Sequence, residues 1–327
     1  MRPFFFKGEM KKFEDKLIAE FQDFEHDKFH VSFLPPKVFL CGGEVDVKAQ
    51  IPKSLRDRLI SHFSTHENEL HASRIQAEDF KDYFKEGAYS DLLEFETDIA
   101  NIATLIVICL ESPGSLVELG LFCMAPTTAS KLLIIAPQEE LADEDSFIFL
   151  GPLDHIKRNN PGAVIAYPWP SPTLIEYDHI EVVVGDIKQK LEKMKKIQKF
   201  SEKNSAHIAF LIYDTIILAE SITITEIEYA LMAFKLEVDG KTVSRLLYLL
   251  EKIGLIAHTV YSNVTYYFDM PGSVRRIKFG SDAKGRTRDS QALTMALKSS
   301  YTMDNEEASK RRVLVLKSIK KIKLEMK

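Results

Sequence analysis

The run LIVICLESPGSLVELG, which spans residues 105–120, decides the fold of this chain. It opens with six apolar residues, a length that is typical of a strand buried on both faces of a parallel sheet. A Ser-Pro-Gly-Ser turn follows, and one of its serines can cap a helix that begins near Leu116. A buried strand that passes through a short turn into a helix predicts an α/β protein.

Helices and strands alternate on both sides of this run. The pattern predicts a helix over 9–25, a strand over 37–41, a helix over 89–103 and a strand over 131–136. This alternation predicts a doubly wound parallel sheet. Ligands of such sheets bind beyond the carboxyl ends of the strands, where this chain carries Gly42-Gly43 and the segment from Glu111 to Glu118.

A different pattern begins near residue 201, after a charged helix predicted over 186–203. Three helical segments, about 205–219, 223–235 and 240–253, precede two β-prone runs joined by a turn. Three helices and a hairpin in this order predict a winged helix-turn-helix. The predicted division is therefore a domain over 1–200 that includes the connector helix, a winged helix-turn-helix domain over 201–270 and a basic extension over 271–327.

The charge of the chain is unevenly distributed. The net charge is −5, but residues 271–327 hold 15 Lys or Arg against 6 Asp or Glu, a local +9 that leaves −14 for residues 1–270. Two interpretations stay open: contact with nucleic acid or another polyanion, and an intramolecular strap across the acidic surface. The third helix of the winged motif likewise suits either nucleic acid or protein. The candidate nucleic-acid contacts are Lys241, Arg245, Arg275, Arg276 and Lys278.

Composition and cysteine usage exclude several classes of protein. A chain of 327 residues with 45% hydrophobic residues is neither disordered nor of low complexity. Cys41, Cys109 and Cys123 lie in or beside apolar or Gly-rich stretches, so we expect no disulfide scaffold and a cytoplasmic location. No apolar run suits a signal peptide or a membrane span. The histidines lack the spacing of a zinc site, so we expect no metal.

The segment after the buried strand carries the strongest chemical signal. Free amides of Gly114 and Ser115 at a helix N-terminus favour a phosphate, and Ser112 is a further candidate contact. Glu118 would then face the sugar attached to that phosphate. Such a carboxylate can attack an anomeric carbon and form a glycosyl-enzyme, while a second, protonated carboxyl assists the leaving nitrogen. Alternatively, Glu118 completes a capping box with Ser115.

Several separate stretches resemble the effector proteins of bacterial retrons, in order along the whole chain. They are Val38–Gly43, Ser54-Leu55-Arg56 with Leu59, Ala77–Phe80, Glu111–Ser115 with Glu118-Leu119-Gly120, and Ser146-Phe147-Ile148 with Gly151-Pro152. The resemblance implies a nucleoside deoxyribosyltransferase-like N-glycosidase domain over 1–200, followed by a C-terminal winged helix.

The resemblance also implies roles for individual residues. Glu118 occupies the position of the nucleophile, and Glu96, on the helix before the motif strand, matches the general acid. Gly42 and Gly43 would cradle phosphate or ribose, or simply turn the chain. Asp79 and its neighbour Glu78 would assist at the substrate, or complement a helix dipole. Thr104 stands where relatives often carry Asp, which puts an orienting contact in doubt.

The resemblance also implies that the protein acts as an anti-phage toxin. A reverse transcriptase and its multicopy single-stranded RNA–DNA hybrid would hold the effector inactive, and higher-order assembly is compatible with this arrangement. The released enzyme would cleave the N-glycosidic bond of a nucleotide, with NAD as the favoured substrate and no bound cofactor. Hydrolysis and transfer both stay open. Two rival functions remain: a nucleotide sensor without turnover, and a DNA-binding regulator that uses the winged helix.

Overall fold

The computed structural model describes residues 12–80, 87–139, 146–282, 285–302 and 306–326, and only the backbone of Lys12, Asp79, Phe80 and Phe149. It separates into two compact units. The α/β unit comprises residues 33–196, and the helical unit comprises residues 1–32 together with 197–327. No helix in the described ranges is long and apolar enough to cross a membrane.

The strands and helices are numbered here in chain order. The strands are β1 His30–Ser32, β2 Val38–Cys41, β3 Arg74–Ile75, β4 Leu105–Cys109, β5 Leu132–Pro137, β6 Val164–Tyr167, β7 Ile197–Lys199, β8 Ile256–Tyr261, β9 Val264–Asp269 and β10 Ile277–Lys278. The helices are α1 Lys12–Phe21, α2 Leu55–His66, α3 Asn68–Ser73, α4 Leu92–Ile102, α5 Pro113–Met124, α6 Pro126–Ala129, α7 Asp154–Asn159, α8 Ile180–Lys193, α9 Ser205–Ala219, α10 Ile224–Ala233, α11 Gly240–Lys252, α12 Ser290–Thr302 and α13 Glu307–Glu325.

The α/β unit is built on a five-stranded parallel sheet, in the order β3-β2-β4-β5-β6. The chain passes from β2 to β3 on one side and then continues from β4 to β6 on the other. The strand order therefore reverses between β2 and β4, which is where ligands of doubly wound sheets bind. The predicted parallel α/β sheet is confirmed.

Both faces of this sheet are covered, which explains the unbroken apolar run of β4. On one face, alternate residues such as Leu105 and Val107 pack with Leu59 of α2 and Ile187 of α8. On the other face, Phe39 of β2 contacts Phe122 of α5, with ring centroids 6.1 Å apart. Every residue of β4 is buried, as expected for a central parallel strand.

The helical unit joins the two ends of the chain. Strand β1 pairs antiparallel with both β7 and β10, and Phe29, beside β1, contacts the rings of Phe200, Phe234 and Phe279. Because of this pairing, the two compact units do not follow the predicted domain boundaries of 1–200, 201–270 and 271–327. The predicted helix over 186–203 is also wrong: α8 ends at Lys193, and Ile197–Lys199 is the strand that pairs with β1.

Helices α9, α10 and α11 and the β8–β9 hairpin follow the predicted order closely. The C-terminal helix α13 packs against one face of this hairpin, where Val315 and Ile319 contact Tyr266 and Phe268. The buried Asp214 of α9 accepts hydrogen bonds from the backbone N–H groups of Arg276 and Ile277, at 2.7 and 2.9 Å. The extension after residue 271 is therefore integrated into the helical unit.

Candidate functional site

The candidate site lies in the α/β unit, at the carboxyl ends of β2 and β4. Cys41, the last residue of β2, pairs with Ile108 of β4. Gly42-Gly43 and the start of α5 are consequently neighbours, and the Ser112 hydroxyl donates a 3.1 Å hydrogen bond to the carbonyl of Gly42. The parallel register thus brings together the two segments that the sequence singled out.

Glu118 lies on α5 and is partly exposed to solvent. Burial raises its pKa to about 7, and this effect outweighs the opposing influence of the positive charge of Arg56. A hydrogen bond with the Cys41 thiol also lowers the pKa, while the negative charge of Glu78 raises it. Near neutral pH this carboxyl is therefore divided between its ionised and protonated forms.

Glu96 lies on α4, and only 9% of the residue is exposed. Among the described residues, its buried Oε2 atom has no hydrogen-bond partner. Burial is the largest cause that raises its pKa to about 8, and the negative charges of Glu118 and Glu78 add to it. A buried carboxyl oxygen without a donor favours the protonated form.

Helices α4 and α5 pack against each other, and the charge of Glu118 contributes to the raised pKa of Glu96, so the two carboxyl groups are close enough to interact electrostatically. The two carboxyls titrate as a coupled pair, with pKa values of about 7 for Glu118 and about 8 for Glu96. In the singly protonated pair, the buried Oε2 of Glu96 without a donor favours the proton on Glu96 and the negative charge on Glu118. A carboxylate beside a protonated carboxyl can supply a nucleophile and a general acid to the same substrate.

An ion pair beside these carboxyls was missed by the sequence analysis. Arg56 of α2, whose side chain is 5% exposed, donates from Nη1 and Nη2 to both carboxylate oxygens of Glu78, at 3.2 and 2.5 Å. The Glu78 side chain is 44% exposed. The Ser54-Leu55-Arg56 stretch carried the resemblance without a role for its arginine, so a signal existed but was not interpreted. Glu78 and Asp79 were both named as possible contacts of the substrate, but the pairing of Glu78 with Arg56 was not predicted, and the Asp79 side chain lies outside the described residues.

The Gly42-Gly43 turn is required by close packing. A Cβ atom on Gly43 would lie 2.7 Å from the Cβ of Ser54, and one on Gly42 would lie 2.9 Å from the Cβ of Arg56. The Gly43 amide also donates a 2.9 Å hydrogen bond to Glu111. Of the two predicted roles, these contacts favour a turn of the chain and argue against a cradle for phosphate.

Glu111 occupies the anion position at the start of α2. Its carboxylate accepts hydrogen bonds from the backbone N–H groups of Leu55 at 2.7 Å and Arg56 at 3.0 Å, in addition to Gly43. A carboxylate in this place satisfies helix N-terminal amides and complements the helix dipole. The sequence analysis used Glu111 as part of the motif without assigning this role.

The serines of the motif are engaged in capping α5. The Ser112 hydroxyl accepts a hydrogen bond from the Ser115 amide at 3.1 Å, and the buried Ser115 hydroxyl donates to the Ser112 carbonyl at 2.8 Å. The predicted free amide of Ser115 is therefore occupied, whereas Gly114 is exposed. The capping box joins Ser112 to Ser115, so the alternative box between Ser115 and Glu118 is wrong.

Replacing Gly43 by alanine is expected to lower the free energy of unfolding by about 1–3 kcal/mol, because the added methyl overlaps Ser54. Gly120 of α5 is the matched control: a Cβ there meets nothing within 4 Å, and alanine in a helix is favoured by about 0.5–1 kcal/mol. Urea denaturation of both variants measures the difference. Equal stability of the two variants would contradict the packing role of the glycine turn.

The candidate nucleic-acid contacts belong to the helical unit and fall into two groups. Lys241 and Lys278 are exposed and Arg245 is partly exposed. Arg276 is buried, with its guanidinium 5.4 Å from the ring centroid of Phe210, and is not presented to a ligand. Arg275 donates from Nε to the buried Asp214 at 3.0 Å. Arg275 and Arg276 therefore make contacts within the helical unit, and their prediction as surface contacts for nucleic acid is wrong.

No group of three or more histidine, cysteine or acidic residues suited to a metal ion occurs within the part of the chain that the structure describes.

The three cysteines are buried free thiols. Burial is the largest cause that raises the pKa of the Cys41 thiol well above its ordinary value. The Cys41 side chain therefore meets Glu118 as a neutral thiol.

Comparison with known proteins gives two findings. A family described as STM3845 retron effector protein matches residues 52–258. A curated protein of Escherichia coli, "Retron Ec73 putative ribosyltransferase/DNA-binding protein", is 32% identical over 126 residues. That alignment covers 38% of this chain and 38% of the relative. The matched family region includes Arg56, Glu78, Glu96 and Glu118.

Proposed function

The chain belongs to the STM3845 retron effector family, and on that premise we propose that it cleaves the N-glycosidic bond of a nucleotide. The observation that carries the proposal is the placement of the buried Glu96 and the partly buried Glu118 on the packed helices α4 and α5, with pKa values raised to about 8 and 7. The ribosyltransferase named in the Escherichia coli relative supports a ribosyltransferase-like enzyme in general. NAD is the proposed substrate.

In the first step, the ionised Glu118 attacks the anomeric carbon of the sugar. The new carbon–oxygen bond forms as the carbon–nitrogen bond breaks, and the electron pair of that bond stays with the departing base. Where the base needs a proton to leave, Glu96 donates it and becomes a carboxylate. The product of this step is a glycosyl ester of Glu118 and a free base.

In the second step, water attacks the same carbon and releases Glu118 as a carboxylate. Glu96 is a carboxylate at this stage because it has given its proton to the base or, with NAD, to solvent, and it accepts the proton of the water as the new carbon–oxygen bond forms. Esterification removes the negative charge of Glu118, which is one cause of the raised pKa of Glu96. Glu96 therefore ionises more readily in the glycosyl-enzyme than in the free enzyme, as its change from acid to base requires.

The charge of the site supports a nucleotide with a cationic base. Arg56 is paired with Glu78 and lies close enough to act on Glu118, so with Glu118 ionised these three side chains carry a net charge of −1. The nicotinamide ring of NAD carries a positive charge while it is attached to the ribose. An anionic site attracts such a ring, and nicotinamide leaves as a neutral molecule without receiving a proton.

Incubation of the purified full-length protein with NAD, without any partner, is expected to release nicotinamide and ADP-ribose in equal amounts. Chromatography measures both products, and parallel incubations contain other ribonucleotides and deoxyribonucleotides. Binding of a nucleotide with no release of its base would support a sensor instead. Tight binding to one duplex sequence, with every nucleotide intact, would support a DNA-binding regulator.

The proposal extends to the finer fold and to the partners. The α/β unit would have the nucleoside deoxyribosyltransferase-like fold, supported by its parallel sheet and by the position of Glu118 one turn inside α5. Residues 201–270 would form a winged helix-turn-helix, supported by three helices followed by a hairpin. A reverse transcriptase and its RNA–DNA hybrid would hold the enzyme inactive. Adding both partners to the NAD assay tests this inhibition directly.

A further inference from the structure

The basic residues of the C-terminal segment are divided between internal ion pairs and an exposed surface. Many of them bind acidic side chains of the same helical unit. The pairs are Arg275 with Asp214, Arg286 with Asp282, Arg288 with Glu20, Lys298 with Glu220, Arg312 with Glu226 and Lys323 with Asp269. Five of these six pairs join the basic segment to acidic residues before position 271, as the interpretation of an intramolecular strap predicts, and the pair of Arg286 with Asp282 lies within the segment.

Helix α13 carries four exposed lysines that take no part in these six pairs. Lys310, Lys317, Lys320 and Lys321 are all exposed, and they are called the lysine stripe here. Within the described residues, the first three make no ion pair, and the fourth lies only at 4.0 Å from Glu325. Lys310, Lys317 and Lys321 are seven and four residues apart, so they share one face of the helix.

The opposite face of α13 is already occupied. Val315 and Ile319 pack against Tyr266 and Phe268 of the β8–β9 hairpin. The buried Arg312 donates to the Ser221 carbonyl at 2.5 Å, and its guanidinium lies 3.7 Å from the ring centroid of Phe13. The helix is therefore held in one orientation, with the lysine stripe facing solvent.

The predicted recognition helix offers much less positive charge. On α11, Lys241 is exposed, but Asp239 at the helix N-cap and the adjacent Gly240 are exposed beside it. Arg245 is only partly exposed, and it adds a small effect to the hydrogen bonds from Thr242 that mainly lower the pKa of Asp239. The positive surface of this unit is thus better developed on α13 than on α11.

We infer that the lysine stripe of α13 binds the sugar-phosphate backbone of a nucleic acid without reading its sequence. Lysine ammonium groups act as point charges toward phosphates. From Lys310 to Lys321 the helix rises about 16 Å, and a duplex presents one phosphate per about 1.7 Å of its axis, so several phosphates lie within reach. The exposed residues between the lysines include Leu314 and Ser318, but no aromatic ring for base stacking.

A lipid surface is the less suitable occupant of this face. A helix that lies in a membrane interface buries a continuous apolar face among the lipids. The apolar face of α13 is instead buried against the hairpin, and the outer face offers only separate apolar residues such as Leu314 and Leu324. The inference depends on the proposed function only for the choice of an RNA–DNA hybrid as the nucleic acid.

The test measures binding of the full-length protein to a fluorescent RNA–DNA hybrid duplex and to a DNA duplex of the same length, across a range of salt concentrations. A variant with Lys310→Gln, Lys317→Gln, Lys320→Gln and Lys321→Gln is compared with the wild type. Each phosphate contact contributes about 0.9 to the slope of log K against log salt, so the variant slope should fall by about 3 to 4. Its affinity should fall at least about tenfold at low salt.

A matched control removes the same charge from exposed lysines of the helical unit that are not candidate nucleic-acid contacts, in Lys199→Gln, Lys203→Gln, Lys235→Gln and Lys252→Gln. This control should keep most of the wild-type slope. Equal losses in the two variants, or a wild-type slope in the stripe variant, would overturn the inference. So would binding to anionic vesicles that depends on the stripe while hybrid binding does not. The Glu118→Gln variant should bind as the wild type does, which separates this result from the fate of the glycosidase proposal.

Discussion

Replacing Glu118 by glutamine is expected to lower the rate of N-glycosidic cleavage by a factor of about 10³ or more, because the amide cannot form the glycosyl ester. The change preserves the shape of the side chain on α5 and removes its negative charge. Initial rates of nicotinamide release from NAD measure the effect on the enzyme. In cells that express the protein without partners, the variant should leave the NAD pool intact and permit growth.

The control for this experiment is Glu69→Gln. This change also removes one carboxylate, but from the exposed surface of α3 and not from the motif that carries Glu118. It should retain full activity. Thermal unfolding of both variants checks that each is folded. If Glu118→Gln released more than about a tenth as much nicotinamide as the wild type, the assignment of the nucleophile would fail. Toxicity that persists with unchanged nucleotide pools would direct attention to the helical unit.

Replacing Glu96 by glutamine is expected to lower the rate by about 10²–10⁴ for a substrate whose base must be protonated to leave. The wild type should show a bell-shaped pH profile, rising as Glu118 ionises near pH 7 and falling as Glu96 ionises near pH 8. The variant should keep the acidic limb and lose the alkaline limb. An unchanged alkaline limb would mean that Glu96 is not the acid.

NAD separates the two roles of Glu96, because nicotinamide leaves without a proton but the second step still needs a base. With NAD, Glu96→Gln should release a burst of about one nicotinamide per enzyme and then turn over slowly, while the glycosyl ester accumulates on Glu118. Rapid-quench measurement and intact-protein mass spectrometry detect the burst and the adduct. A slow first turnover with no adduct would argue against this division of roles.

The stability of the same variant provides a check that does not depend on activity. The pKa of Glu96 is raised from 4.5 to about 8 in the folded protein, so the unfolded chain releases this proton at lower pH. The contribution of Glu96 to the free energy of unfolding therefore falls as the pH rises from about 4.5 to 8. The melting temperature of Glu96→Gln relative to the wild type should rise across that interval. A constant difference would indicate an ordinary, solvated carboxyl.

Much of the local structure could be predicted from the sequence, since hydrophobic periodicity is a property of neighbouring residues. The buried run at 105–110 became β4, and the three helical patterns after residue 204 became α9, α10 and α11 within a few residues. The motif around Glu118 was placed correctly at the carboxyl end of a strand. In each case, the side chains that decide the element lie within one or two turns of one another.

The composition of the site depended on contacts between distant segments. The pair of Arg56 and Glu78 joins α2 to a segment 22 residues later, and Glu111 reaches back to the amides of Leu55 and Arg56. Glu111 also accepts a hydrogen bond from the Gly43 amide, and the cap residue Ser112 accepts one from the Ser115 amide, so neither amide is free for a phosphate as local reasoning had predicted. A helix N-terminus predicts an anion, but only the packed structure shows whether a carboxylate of the chain already fills that place.

By itself, the sequence determined the alternating elements, the motif that carries Glu118 and the excess of positive charge after residue 271. The tertiary structure decided which elements share a unit, because β1 pairs with β7 and β10 and so joins the two ends of the chain. It also decided which basic residues face solvent. The physical reason is that burial and pairing depend on partners brought together by folding, whereas a local pattern records only which side chains lie on the same face.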